Sequence, residues 1–192
     1  IIMLEKIIDL DKKVFIYLNG LGSETYDGLW LLITKQIYWT PFFLLIFYFL
    51  QKKLGWKNFL YYILFTAVLI LICDQTANFF KDSIQRLRPC NDAEIKDIIR
   101  VVKSSATKSF FSGHATNSMA TTVFAYLILK KEYKYSFLLF LFPFIFAYSR
   151  IYLGLHFPVD ILTGYAVGAI VGYVFFKIYQ TTQKRYFPIQ IL

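Results

Sequence analysis

Charge is scarce in this chain. Only 17% of its 192 residues are Asp, Glu, Lys or Arg, while 57% are hydrophobic and 20% aromatic. Soluble domains carry more charge, so the deficit points to membrane spans. Acidic residues are rarer than basic ones, 12 against 21, which leaves a net charge of +9. That balance suits an anionic lipid surface or an anionic substrate. It does not suit nucleic acid, because the cations fall between apolar runs and not along one polar face. Cysteine is nearly absent. Cys73 and Cys90 have no metal-type spacing, and Cys73 lies inside an apolar run, which argues against a disulfide. No signal peptide is visible, since the first long apolar run starts well inside the chain.

The sequence is rich in apolar segments. Five read as spans: about Gln36 to Leu50, Phe59 to Phe80, Ser112 to Leu129, Tyr135 to Tyr148 and Pro158 to Phe176. Some are shorter than the roughly 20 residues a bilayer needs, so their boundaries can slide. Pro41 and Pro143 sit within spans, where kinks are tolerated. Ahead of them, Leu4, Ile7, Ile8, Val14, Phe15 and Leu18 recur at helical spacing among charged residues. This predicts an amphipathic helix over about 4–18, lying on the membrane or packed on the protein itself. Asn19-Gly20 ends it, and Tyr26 to Ile33 reads as interfacial or as the lead-in to the first span. The expected architecture is therefore all-α: a membrane helical bundle of about five transmembrane helices plus one amphipathic helix, forming a single domain over residues 1–192.

Short basic loops set the orientation. Lys52, Lys53 and Lys57 follow the first span, Lys130, Lys131 and Lys134 the third, and Lys177, Lys184 and Arg185 the fifth. All three fall on one side, which should be cytoplasmic. The long connection between the second and third spans then lies outside, although it also carries cations. Gly164, Gly168 and Gly172 repeat every four residues along the fifth span. Such a stripe allows close helix contact, within the bundle or with a second copy as a homo-oligomer.

Three polar clusters reach one membrane face in this topology. The first is Lys81, six residues, then Arg88-Pro89. The second is Ser112-Gly113-His114 at the start of the third span. The third is Ser149-Arg150, five residues, His156, three residues, Asp160. His156 and Asp160 are four apart, so a helical turn can place them on one face. A carboxylate bonded to one imidazole nitrogen fixes the tautomer and frees the other nitrogen to attack. A capping Asp beside a lone interfacial His is the alternative. Arg150 offers a planar fork for phosphate or carboxylate, and a helix start at Ser112-Gly113 binds anions. Cations, two histidines and one carboxylate fit phosphoryl transfer, where positioning and charge neutralisation supply most of the catalysis.

These three motifs, in this order and spacing, resemble the type 2 phosphatidic acid phosphatase superfamily, which includes membrane lipid phosphatases and shares its site with vanadium-dependent haloperoxidases. The resemblance covers Lys81 to Asp160 and, through the span pattern, most of the rest. It implies that His156 is the nucleophile and forms a phosphohistidine, Asp160 orients it, and His114 is the general acid. Lys81, Arg88, Arg150, Ser112 and the Gly113 backbone would hold the phosphate oxygens. No metal and no cofactor is implied, because the fixed cations supply the positive charge; two histidines and a carboxylate at this spacing, among cations, do not make a metal site. The family usually has Pro before Ser-Gly-His, where this sequence has Phe111; proline only stiffens that turn. Some members carry a further N-terminal span, which this sequence is expected to lack.

The resemblance makes a lipid phosphate or pyrophosphate phosphatase the leading expectation, working on the periplasmic face of a bacterial inner membrane. Undecaprenyl pyrophosphate ranks first by family analogy, ahead of phosphatidylglycerophosphate, phosphatidic acid and the phosphate of lipid A. The expected partners are the lipid substrate and the bilayer. Two other classes compete: a haloperoxidase, and a non-catalytic lipid binder or transporter. Around the motifs, Asp74 is read as a partner holding Lys81, or as a carboxylate wet at the interface. Arg86 lies outside the pattern and reads as a solvated charge. Asn117 serves the site or a contact between helices, and Tyr148 and Tyr152 read as interfacial belt aromatics.

Overall fold

Gly55 turns the longest helical stretch of the chain back on itself. The computed structural model describes residues 2–186; Ile1 and residues 187–192, the ends of the expected domain, lie outside the described residues. Its helices are α1 (Ile2–Gly20), α2 (Glu24–Ile33), α3 (Thr40–Ile84), α4 (Gly113–Leu129), α5 (Leu141–Tyr152) and α6 (Pro158–Tyr186), with 3₁₀ turns at Gln36–Trp39, Pro89–Asn91 and Lys134–Phe140. Within α3, Gly55 has φ 70° and ψ 162°, a left-handed setting that glycine adopts without a Cβ penalty. Phe47 and Phe59, one on each side, bring their rings to 5.9 Å. In a straight helix twelve residues would separate them by about 18 Å. The two arms, 40–54 and 56–84, therefore form a hairpin, and they correspond to the first two expected spans.

The third and fifth expected spans fall in α4 and α6, and the fourth is divided between the 3₁₀ turn Lys134–Phe140 and α5. Stretches 36–91, 134–152 and 158–186 are long and apolar enough to cross a membrane. At 17 residues, α4 falls short of that length, spanning about 25 Å at 1.5 Å per residue. It is the buried centre of the molecule, packed against α3, α5 and α6. The outer faces of the surrounding helices are apolar and exposed, with Leu44, Leu45, Leu64, Leu71, Phe144, Leu162 and Ile170 all turned outward. An exposed apolar surface of that extent is a lipid-facing belt, and the protein is an integral membrane protein.

The glycine stripe is consumed inside the bundle. A Cβ at Gly164, Gly168 or Gly172 would come within 2.8, 2.4 and 2.5 Å of the carbonyl oxygens of Ser112, Thr116 and Ala120 on α4. The backbones of α4 and α6 thus touch along this stripe. Neither proline kinks a span. Pro41 lies in the first turn of α3 and Pro143 is the third residue of α5, where no intrahelical hydrogen bond is lost.

The amphipathic helix divides its faces. Phe15 of α1 is fully buried, its ring edge-on to Phe157 at 5.3 Å between centroids. Ile7, Ile8, Leu10, Val14 and Tyr17 remain exposed. Hence α1 packs on α5 and α6 and also keeps an apolar face free; the Leu4 side chain is outside the described ones. Tyr148 and Tyr152 are not belt residues. The Tyr152 hydroxyl donates to the Ser23 carbonyl at 2.6 Å and meets Asp27 Oδ1 at 2.8 Å, and its ring stacks on Trp30 of α2. Tyr148 reaches the Leu18 carbonyl of α1 at 3.3 Å. Both rings are thereby drawn inward, clamping α1 and α2 to α5.

The basic loops share one end. Lys53 pairs with Glu132 at 2.8 Å, and Tyr179 of α6 donates to the Asn58 carbonyl at 3.2 Å. The three motifs lie at the opposite end.

Candidate active site

His156 stands in the short loop between α5 and α6. The Arg150 carbonyl closes that loop, accepting from the Leu155 and His156 N–H groups at 2.9 and 3.3 Å. Gly154 makes the turn at φ 84°, where a Cβ would meet the Arg100 carbonyl at 3.1 Å. The imidazole is buried. Its Nε2 lies 3.1 Å from Arg88 Nη1. A guanidinium can only donate, so Nε2 is the acceptor and the proton sits on Nδ1. That nitrogen points to Asp160 Oδ2 at 3.5 Å, an ion-pair separation too long to count as a closed hydrogen bond. Burial, with a smaller push from Arg88 and Arg150, lowers the His156 pKa to about 4 despite the opposing Asp160 carboxylate. The ring is neutral at pH 7, with Nε2 as its free lone pair, the form a nucleophile needs.

Arg88 lies at this nitrogen, and Arg150 is near enough for its charge to act on the ring. Arg88 spends Nε and Nη2 on Thr107, at 2.8 Å to the carbonyl and 2.8 Å to the hydroxyl. Its Nη1 also donates to the Leu155 carbonyl at 2.9 Å. Arg150 is buried, donates to Thr34 Oγ1, and leaves Nε without a partner. The Lys81 ammonium lies close to Gly113, 3.8 Å from where a Cβ would stand. Ser112 caps α4, its Oγ accepting from the Ala115 N–H at 3.4 Å, while its own O–H stays available. The remaining N–H groups of that first turn are the donors every helix start leaves unpaired. Ser112 N–H also donates to the Asp160 carbonyl at 3.0 Å, tying the second motif to the third. His114, one position into α4, stacks on Phe146 at 5.4 Å between centroids and feels the charges of Arg150, His156, Lys81 and Arg88. All eight residues singled out by sequence come together here.

Three readings of neighbouring residues change. Asp74 does not hold Lys81; it accepts a 2.7 Å hydrogen bond from Asn117 Nδ2, and no carboxylate among the described residues lies within ion-pair distance of Lys81 Nζ. The short amide on facing α4 reaches Asp74 first, and Lys81 is left free for an anion. Asn117 accordingly joins α3 to α4. Arg86 is not a solvated charge. Its Nη1 donates to Asp160 Oδ1 at 2.8 Å and its Nη2 to Asp11 Oδ2 at 2.6 Å. Sequence gave no signal for Asp11, Thr34 or Thr107, whose partners lie far off along the chain. Phe111 is buried, its ring against Phe80 at 5.4 Å between centroids, and so fills apolar space beside the motif.

Residues 55–184 match the model of the PAP2 superfamily. The chain belongs to that family. Among PAP2 relatives, the lipid A 4'-phosphatase of Porphyromonas gingivalis is 31% identical over 95% of this chain and 78% of its own length. The lipid A 4'-phosphatase of Bacteroides thetaiotaomicron is 32% identical over 92% and 80%. The undecaprenyl-diphosphatase BcrC of Bacillus subtilis is 32% identical, but over only 40% of this chain and 38% of its own. The PAP2 fold is shared with a phosphatidylglycerolphosphate phosphatase of Bacillus subtilis, at TM-score 0.70 and 17% identity over 94% of this chain and 89% of that one. It is shared also with LpxE of Aquifex aeolicus, at TM-score 0.64 and 22% identity over 88% and 95%. This PAP2 protein is a phosphate monoester hydrolase, and its substrate is a lipid phosphate.

Proposed function

We propose that the protein removes the 4'-phosphate of lipid A. The observation that carries the substrate is the likeness to two lipid A 4'-phosphatases over nearly the whole chain. Undecaprenyl pyrophosphate, ranked first by the motifs alone, has support over less than half the chain and becomes the second reading. The motifs lie in the part common to the family, so they could not order the two.

In the proposed reaction His156 Nε2 attacks phosphorus, forming the N–P bond as the P–O bond to the lipid breaks. His114 gives its proton to the leaving oxygen. Water then attacks the phosphohistidine, His114 takes a proton from it, and inorganic phosphate leaves as the N–P bond breaks. Arg88 exchanges its contact with Nε2 for a phosphate oxygen, and Lys81, Arg150, the Ser112 hydroxyl and the Gly113 N–H hold the others. Asp160 keeps the Nδ1 proton in place. The fixed cations neutralise charge that would otherwise call for a metal.

A largely apolar cavity of about 290 Å³ runs between the arms of α3 and against α4 and α5. Its walls include Phe146, which stacks on His114, and Asp74, beside Gly113. Such a space beside the phosphate-binding groups suits an acyl chain. The basic loops at the far end support a site on the periplasmic side of an inner membrane.

The test is phosphate release per enzyme in detergent from lipid A, undecaprenyl pyrophosphate, phosphatidylglycerophosphate, phosphatidic acid and p-nitrophenyl phosphate, with mass spectrometry of the lipid A product. Lipid A lacking its 4'-phosphate, formed with the highest kcat/KM of the panel, is the expected result. A higher kcat/KM for undecaprenyl pyrophosphate would return that substrate to first place, and equal efficiency on the soluble ester would remove the lipid from the mechanism.

A further inference from the structure

Arg86 spans two buried carboxylates from different parts of the chain. Asp160, at the start of α6, is fully buried and Asp11 on α1 nearly so, while the Arg86 side chain is 19% exposed. One Nη serves each carboxylate, at 2.8 and 2.6 Å. The guanidinium also lies over the Phe157 ring at 4.1 Å, which fixes its plane. The second oxygens of both carboxylates accept from backbone N–H groups at the start of α6, one just before it and one in its first turn. Asp11 Oδ1 accepts from the Val159 N–H at 2.9 Å, and Asp160 Oδ2 accepts from the Phe157 N–H at 2.9 Å.

The consequence falls on His156. Asp160 Oδ2 is the atom facing Nδ1, yet 3.5 Å is too long for Nδ1 to hold the carboxylate by itself. Its place is set by Arg86 on one oxygen and by a backbone N–H on the other. Arg86 in turn is held by Asp11, which also anchors the backbone beside Asp160. Buried charges keep such positions only while their partners remain.

We propose that Arg86 and Asp11 are positioning residues for the reaction, with α1 completing the active site by delivering Asp11. Asp11 holds Arg86, Arg86 holds Asp160, and Asp160 holds the Nδ1 proton of His156. Neither residue touches the phosphate. This proposal rests on His156 being the nucleophile. It predicts a specific kinetic pattern, because misplacing the base-side carboxylate slows the chemical step while the phosphate-binding groups stay where they are.

The experiment measures kcat and KM in detergent with lipid A and, independently of the lipid, with p-nitrophenyl phosphate. Arg86→Ala should lower kcat on the order of 10- to 100-fold with little change in KM, the scale of outer partners that orient a reacting imidazole. Arg86→Lys should recover part of this, since one ammonium can follow only one of the two carboxylates. Asp11→Asn should lower kcat less than Arg86→Ala, and the double variant should be no slower than Arg86→Ala alone, as members of one chain of contacts are not additive. Lys12→Ala removes the ion pairs of α1 to Asp92 and Glu94 and should leave kcat within about twofold of wild type if the positioning of Asp160, and not α1 docking in general, is the effect. If Arg86→Ala fails to fold, Arg86→Lys and Asp11→Asn carry the test. The proposal is overturned if kcat survives in these variants, if only KM rises, if the Asp11 and Arg86 effects multiply, or if Lys12→Ala slows turnover as much as Asp11→Asn. His156→Ala separates the two readings: turnover surviving there removes the mechanism itself, whereas a dead His156→Ala beside a fully active Arg86→Ala removes only this inference.

Discussion

Arg88 holds its Nη1 3.1 Å from Nε2 of His156. Because arginine cannot accept, the contact fixes the histidine tautomer and turns the nitrogen lone pair toward the group that would bind phosphate. The proposed nucleophile and the proposed anion site are thus adjacent before substrate arrives. Four expectations follow from this arrangement and from the packing behind it.

His156→Ala should abolish turnover, with no phosphoenzyme trapped by acid quench. His114→Ala should slow lipid turnover by a factor on the order of 10²–10⁴, the usual worth of a positioned acid or base, yet still accumulate phosphoenzyme from p-nitrophenyl phosphate, whose leaving group needs no proton. Vanadate should inhibit by resembling the transition state, and EDTA should have no effect. Inactivation by EDTA with rescue by magnesium would contradict the scheme.

The acid limb of kcat/KM should lie near pH 4, not near the ordinary imidazole value of about 6.5. The sign follows from the role: attack needs neutral His156, whose pKa burial lowers to about 4, so activity rises as pH climbs through that value, and it falls again where His114, the proton donor, loses its proton. Arg88→Ala removes one of the cations that depress it and should move the limb upward, while also weakening phosphate binding. A wild-type limb near pH 6.5 would argue that His156 is solvated.

Gly168→Leu should destabilise the bundle. A Cβ there already falls 2.4 Å from the Thr116 carbonyl, and a larger side chain must force α4 from α6. The cost should be about 1–3 kcal/mol or more, read as a lower Tm in detergent, while Ile170→Leu on the exposed face of the same helix should leave Tm unchanged. Equal behaviour of the two variants would mean that the contact is looser than drawn.

Substituted-cysteine labelling on intact cells should find positions 131 and 184 protected and position 92 accessible from outside. The basis is the Lys/Arg bias of the short loops, together with the pairing of Lys53 to Glu132, which puts two of those loops at one end. Label reaching position 92 only from the cytoplasm would reverse the orientation.

The sequence by itself determined the kind of protein and the chemical groups. Low charge and long apolar runs require a bilayer, and the spacing of Lys81, Arg88, Ser112, His114, Arg150, His156 and Asp160 picked out residues that the fold brings together at one candidate site. Those signals are local, each read along one segment. Tertiary structure decided who meets whom. Asp74 found Asn117 on α4 and not Lys81, seven residues along its own helix. Gly164, Gly168 and Gly172 were legible as a close-contact stripe, but only packing assigned α4 as the neighbour. Arg86 and Asp11 looked like two surface charges, 75 residues apart, until the docking of α1 buried them around Asp160. The physical reason is that periodicity reports which face of a helix leaves water or lipid, whereas the partner of a charge depends on which helix comes to that face, and burial then makes the choice binding because an unpaired charge there is costly.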